Sequence, residues 1–295
     1  MTPPDSEVRS RFPGAGGYSA GMDGDAHNPT DLAASHAPLL GPGDPPPFEF
    51  RNPTGGSPLI LICDHAGLAV PASLDNLGLP ESAWKRHISH DIGARRVTEL
   101  LSAAFDAPAV MHNYSRLVID CNRPLGHPES IIEESDGQTV PGNADITSTD
   151  VHQRAEALFW PYHKTISNLI GGRWRDMNRP PVLFSVHSFT GQYGTQHRPW
   201  DAGVLFNKDP RLAVPLMEHL RAKGLNIGEN QPYSGLEAAF TIDVHGGAPG
   251  IAHMVIEIRQ DQLEDEASRQ RWSEILIEAL ENVLNREELY RVQRF

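Results

Sequence analysis

Three short apolar runs in this chain each carry or lead into a residue able to bind a cation or move a proton. Leu59–Cys63 leads into Asp64-His65-Ala66-Gly67, Val182–Val186 leads into His187-Ser188, and Met254–Ile258 carries Glu257 and is followed by Arg259. A buried strand that delivers a polar side chain at its end is how an open α/β sheet builds a site. Histidines and a carboxylate delivered in this way suit a hydrolytic metal centre. A catalytic zinc takes three protein ligands, usually His with one carboxylate, and leaves a fourth position for water. His65 and His187 fit because each follows a strand-like run and is trailed by small residues that leave room for an ion. Asp91, beside His90, is the expected carboxylate ligand, with Glu81 as the alternative. Most of the fourteen histidines must be ordinary core or surface residues.

Glu257 sits inside Val-Ile-Glu-Ile-Arg. A charge in an apolar strand is either paired, here with Arg259, or functional, because an unpaired buried charge is too costly. The functional reading makes Glu257 the base that takes a proton from a water activated at the metal. Strand alternation puts His253 and Arg259 on the face of Glu257. Together with Ser188, next to His187, they are expected to contact substrate. Arg116, Asn122 and Arg123 flank another apolar run, Leu117–Cys121. Arginine suits two-pronged recognition of a carboxylate, so this group implies an anionic substrate. The plain alternative is a surface salt bridge to Asp120 or Glu133.

The elements that must position these residues read as alternating strands and helices. Leu59–Cys63, Ala109–Met111, Leu117–Cys121, Val182–Val186, Gly203–Phe206 and Met254–Ile258 are the expected strands. Helices are expected over Glu81–Phe105 around an interior Gly93, from Ser148 or Thr149 towards Ile170 with a kink at Pro161, and from Asp209-Pro210 to Gly224. The clearest helix is the last, with Trp272, Ile275, Leu276, Ala279, Leu280 and Val283 on one face. The irregular stretch Leu125–Ile146 is too long for a mere connector and reads as a binding loop or lid. This alternation implies an α/β fold, a three-layer sandwich around a mixed, mainly parallel central sheet.

Composition narrows the function classes. The formal charge of −13 argues against a phosphate-backbone binder, so nucleic acid is not an expected partner. Two cysteines in apolar contexts make no disulfide framework and fit a reducing compartment. No run is long enough to span a membrane and the N-terminus lacks a secretory pattern, so the expected location is the cytoplasm. Residues from Met1 to about Pro47 are rich in Pro, Gly, Ser and Asp and read as a disordered leader, leaving 48–295 as a single catalytic domain.

Several strings taken together resemble the N-formylglutamate amidohydrolase family. They are Asp64-His65-Ala66-Gly67, His87 to Ala94, Tyr114 to Pro124, Val186 to Thr190, Asn230 to Gly235 and Ile256 to Asp261. The resemblance runs from about Pro58 to about Leu263. It implies a zinc carboxypeptidase-like fold in which His65, Asp91 and His187 hold Zn2+ or another divalent ion. It likewise implies Glu257 as the catalytic glutamate and Asn122 with Arg123 as the pair holding a substrate carboxylate. The implied activity is hydrolysis of the formyl or short acyl amide of a small anionic N-acyl amino acid, such as N-formylglutamate, to formate and the free amino acid. Two other readings are a thiol amidase using Cys63 or Cys121 and a binding protein that captures an amino-acid derivative without cleaving it.

Overall fold

The structure is a computed structural model that describes residues 38–235 and 239–295. The leader expected from composition falls mostly on residues outside that set. Its last part, residues 38–47, packs on the body of the protein: Leu39 is buried, and Tyr114 Oη donates to the Pro45 carbonyl at 2.6 Å.

Seven strands form the central sheet: β1 (Phe48–Arg51), β2 (Leu59–Cys63), β3 (Ala109–His112), β4 (Val182–Phe189), β5 (Ala202–Leu205), β6 (Ile227–Glu229) and β7 (His253–Arg259). Their spatial order is β1-β3-β2-β4-β7-β5-β6. The core strands β3, β2, β4 and β7 run parallel, whereas β1 and β5 are antiparallel to their neighbours β3 and β7. Every residue of β2 and β4 is buried, which is why they read as continuous apolar runs: helices cover both faces of a parallel sheet. On one face, Leu59, Leu61, Phe184 and Ile256 pack against α1 (Ala94–Phe105), α4 (Ala213–Ala222) and α5 (Glu266–Val283). On the other, Ile60, Ile62, Leu183 and Val255 pack against α3 (Trp160–Met177) and the irregular segments around Leu117–Cys121. This is the expected three-layer α/β sandwich with a mixed, mainly parallel sheet. Among the described residues no helix is long and apolar enough to cross a membrane.

Four expected elements differ, each for a local reason. The helix read over Glu81–Phe105 starts only at Ala94, after a short 3-10 turn at Glu81–Lys85. Gly93 has φ of +81°, which a right-handed helix cannot contain, and a Cβ there would lie 2.6 Å from Leu263 Cβ. Asp91 therefore lies in a loop. Leu117–Cys121 is a buried loop rather than a strand, with side chains satisfying its carbonyls: Asn143 Nδ2 donates to Leu117 O at 2.9 Å and Arg154 Nη1 to Val118 O at 2.8 Å. The helix expected from Ser148 or Thr149 is capped by Thr147, in a reciprocal box with Asp150. It runs as α2 (Ser148–Arg154), one π turn over Ala155–Phe159 and then α3, which passes through Gly171 and Gly172. The wider turn lies just ahead of Pro161, which has no N–H to donate. Finally, α4 begins after Asp209-Pro210, because the Asp209 carboxylate is occupied by Arg211 at 2.6 Å.

Candidate metal centre

The site lies at the carboxyl ends of the three adjacent parallel strands β2, β4 and β7, where open α/β sheets place their ligands. In register, Glu257 of β7 is directly opposite His187 of β4. Both point to the α3 side of the sheet, continuing the alternation of Leu183 and Val255. Asp64 continues the alternation of Ile60 and Ile62 onto the same face, one residue before His65 leaves β2. The loop ahead of α1 is tied to this end by the Asp91 amide, which donates to the His65 carbonyl at 3.0 Å.

His65, Asp91 and His187 converge. One ligand atom from each lies within 4.8 Å of the others, and all three residues are buried. Asp91 Oδ2 is 2.7 Å from His187 Nδ1 and 3.3 Å from His65 Nδ1. The opposite ring nitrogens are held as well. His65 Nε2 is 2.8 Å from Asp120 Oδ1, and His187 Nε2 is 2.9 Å from Asp64 Oδ2. An Nε2–H donated to a carboxylate fixes the tautomer that leaves Nδ1 as a ligand, the usual support of a metal-binding imidazole. Arg116 braces the assembly through Nη2 to Asp120 Oδ2 at 2.7 Å and Nη1 to Asp91 Oδ1 at 3.7 Å.

Charge balance fits a divalent cation. The carboxylates of Asp64, Asp91 and Asp120 against the Arg116 guanidinium leave two negative charges, to be met by two imidazolium protons or by one divalent ion between neutral rings. The titration shifts express the same demand. Burial works against charge at Asp64, yet the hydrogen bond and charge of His187 hold its carboxyl at about 2. Burial also opposes ionisation of Asp91 and Asp120, but the first is held well down by His65 and His187 and the second by Arg116 and His65. His187 is raised well above the ordinary imidazole value, against burial, by Asp64 and Asp91. Glu257 goes the other way: burial, aided by the Asp91 charge and opposed by His187, pushes it up to about 7.

A cavity of about 590 Å³ opens over this centre, within the range of small-ligand pockets. Glu257, Arg116, Asn122, Arg123 and Ser188 all line it. Arg123 meets Glu129 at 3.0 Å, Asn122 Oδ1 accepts from the Thr241 amide at 3.0 Å, and Ser188 Oγ donates to the Ile92 carbonyl at 2.8 Å. Two expected substrate contacts lie elsewhere. His253 shares the face of Glu257 but sits four residues earlier on β7, about 13 Å back along the strand, and lines a separate cavity with Asp209 and Asp243. Arg259, beyond the strand's buried part, donates to the carbonyls of Pro199 and Trp200 and to Asp261. Neither His90 nor Glu81 joins the ligand cluster. Burial, with nearby carboxylates, pushes both cysteine thiols well up, which removes the thiolate a thiol amidase needs.

Residue-by-residue reading missed the roles of Asp64 and Asp120. The signal for Asp64 was present in the period-two alternation of β2, whereas Asp120 reaches His65 only through the buried loop. It also missed Arg198, Tyr193 and Tyr233, which line the cavity from polar loops.

Comparison with known proteins agrees with this architecture. The gene product Atu2144 from Agrobacterium tumefaciens superposes with a TM-score of 0.81 at 29% identity, over 84% of this chain and 98% of that one. A bacteriophage poly-gamma-glutamate hydrolase is a far looser likeness, with a TM-score of 0.42 at 10% identity over 81% of this chain and 89% of that one. No curated protein matches. The model of the family described as N-formylglutamate amidohydrolase matches residues 57–263, which include every residue of the cluster, and the chain belongs to that family of amide hydrolases.

Proposed function

We propose that the protein hydrolyses the formyl or short acyl amide of an N-acyl amino acid, N-formylglutamate among them, releasing formate or the corresponding acid and the free amino acid. The observation that carries this reading is the cluster of His65, Asp91 and His187, with Glu257 opposite His187 on the next strand. The donor set of two imidazoles and one carboxylate suits zinc or another divalent ion. When bound, such an ion would polarise the amide carbonyl and lower the pKa of water towards about 7.

The chain's own residues do the rest. Glu257 takes one proton from the attacking water and delivers it to the nitrogen of the departing amine, so the amide C–N bond breaks as the new C–O bond forms. A carboxyl poised near neutrality is matched to both halves of that transfer. Arg123, with Asn122, binds the substrate carboxylate and orients the amide. Asp64 and Asp120 keep the two imidazoles in the ligating tautomer.

The test is metal analysis paired with amine release from a panel of N-formyl and N-acetyl amino acids. His187→Ala should lose both bound zinc and turnover. Glu257→Gln should keep the metal and lose about 10²–10⁴-fold in kcat. Turnover near the wild-type rate in either variant refutes the assignment.

A further inference from the structure

Behind the candidate centre lies one buried hydroxyl that the mechanism has not used. Thr241 is fully buried on a single helical turn, Phe240–Ile242, whose two end residues pack into the apolar layer on the α3 side of the sheet. Other buried hydroxyls on helices serve nearby backbone: Thr98 donates to Ala94 O, Ser102 to Ala107 O and Ser273 to Arg269 O. Thr241 instead donates to a carboxylate 177 positions away in sequence, from Oγ1 to Asp64 Oδ1 at 2.7 Å.

A hydroxyl has one hydrogen to give. The competing acceptor is the Cys121 carbonyl, 3.2 Å from Oγ1, but it is farther, uncharged and already served by His163 Nε2 at 2.9 Å. The hydrogen therefore goes to Asp64, where the charge makes the bond stronger. Both oxygens of Asp64 are then committed. Oδ1 accepts from Thr241, while Oδ2 lies 2.9 Å from His187 Nε2, with a longer contact to Ser185 Oγ at 3.4 Å. A carboxylate held at one oxygen cannot turn without breaking that bond, so the other oxygen stays aimed at the imidazole. The Thr241 backbone is fixed in turn, because its amide donates to Asn122 Oδ1 at 3.0 Å.

We infer that Thr241 is a positioning residue for the metal centre: its hydroxyl holds the Asp64 carboxylate to His187, which presents Nδ1 to the cation, and so sets metal affinity without touching metal or substrate. The inference rests on the metal-centre reading above and adds to it the group on which a supporting carboxylate itself leans. Because the hydroxyl serves Asp64 and the amide serves Asn122, the two contacts separate by substitution.

Thr241→Val removes the hydroxyl and keeps the shape and the backbone amide. Zinc affinity, measured by competition against a chromogenic chelator, should fall about three- to thirtyfold, short of the loss from removing an outer carboxylate itself. Thr241→Ser restores the hydroxyl and should return to within about twofold of wild type, as should Ser185→Ala at the longer contact. In an Asp64→Asn background, Thr241→Val should cost less than about twofold more, since the charge it served is gone. At saturating zinc, KM for N-formylglutamate should stay within about threefold of wild type, because the amide still holds Asn122. Equal zinc affinity in wild type and Thr241→Val overturns the inference. So does a loss that Thr241→Ser fails to restore, that Ser185→Ala matches, or that adds in full to the loss from Asp64→Asn. If Thr241→Val does not fold, Thr241→Ala against Thr241→Ser decides, because those two differ by the hydroxyl alone. A wild-type protein that takes up no zinc overturns the metal-centre reading and this inference together. Zinc uptake without turnover of any N-acyl amino acid fails the proposed activity alone, and the zinc affinities of the variants still decide the role of Thr241.

Discussion

Asp64→Asn is the most searching perturbation of the candidate centre, because it alters no proposed ligand and leaves the shape almost unchanged. Asp64 is buried, with Oδ2 2.9 Å from His187 Nε2 and Oδ1 2.7 Å from Thr241 Oγ1. Burial alone would raise its carboxyl above the ordinary 3.8, yet the bond to His187 holds it at about 2. A depression of that size corresponds to about 2 kcal/mol of preference for the ionised form. Asparagine retains an oxygen that can accept from Nε2–H but forfeits the charge that favours this tautomer and makes Nδ1 a better donor. Removing such an outer carboxylate costs about ten- to hundredfold in metal affinity, or about 1.4–2.8 kcal/mol. The assay is zinc competition against a chromogenic chelator at neutral pH, with a melting curve of the metal-free protein as the control for folding. Weaker zinc binding with a near-native melt is the expected result. Unchanged affinity in a folded variant would refute the argument that Asp64 orients His187 for a cation.

Two further predictions test the frame around the site. Burial holds His112 down to about 4, with its Nδ1–H donated to the Tyr114 carbonyl at 3.0 Å and its Nε2 buried without a partner. Between pH 6.5 and 4 the unfolded chain therefore binds the proton that the folded one refuses, so stability is full above 6.5 and falls by about 3 kcal/mol in order of magnitude as pH drops through that window. Urea midpoints of the wild-type protein should fall more steeply from pH 7 to 4.5 than those of His112→Gln, and parallel curves would contradict this account. Gly93→Ala should destabilise by about 2 kcal/mol or more, from the left-handed backbone and the contact with Leu263. Because that loop carries Asp91, zinc affinity should drop along with the melting temperature; an unchanged melt would remove the reason given for the helix starting at Ala94.

His65, His187 and Glu257 were legible because each is attached to a run of apolar residues long and β-branched enough to be a buried strand. Asp91 was legible as a residue type but not in its setting, since the apolar spacing on either side of Gly93 continues and only the backbone shows that the helix does not. Leu117–Cys121 misled for the converse reason. An apolar run reports burial, and a buried loop whose carbonyls are met by Asn143 and Arg154 reads the same as a strand. His253 shows the limit of alternation, which assigns a face and says nothing about which end of the strand a cavity occupies.

Local pattern was thus sufficient for the layer architecture and for the residues at strand ends, because burial and periodicity are properties of neighbouring positions. The pairings that give those residues their chemistry span large separations: Asp64 with His187, Asp120 with His65, and Arg198 with Tyr233 across two loops. Such distances are set only when the strands take their order and register in the sheet. Tertiary structure alone therefore decided which carboxylates support the imidazoles.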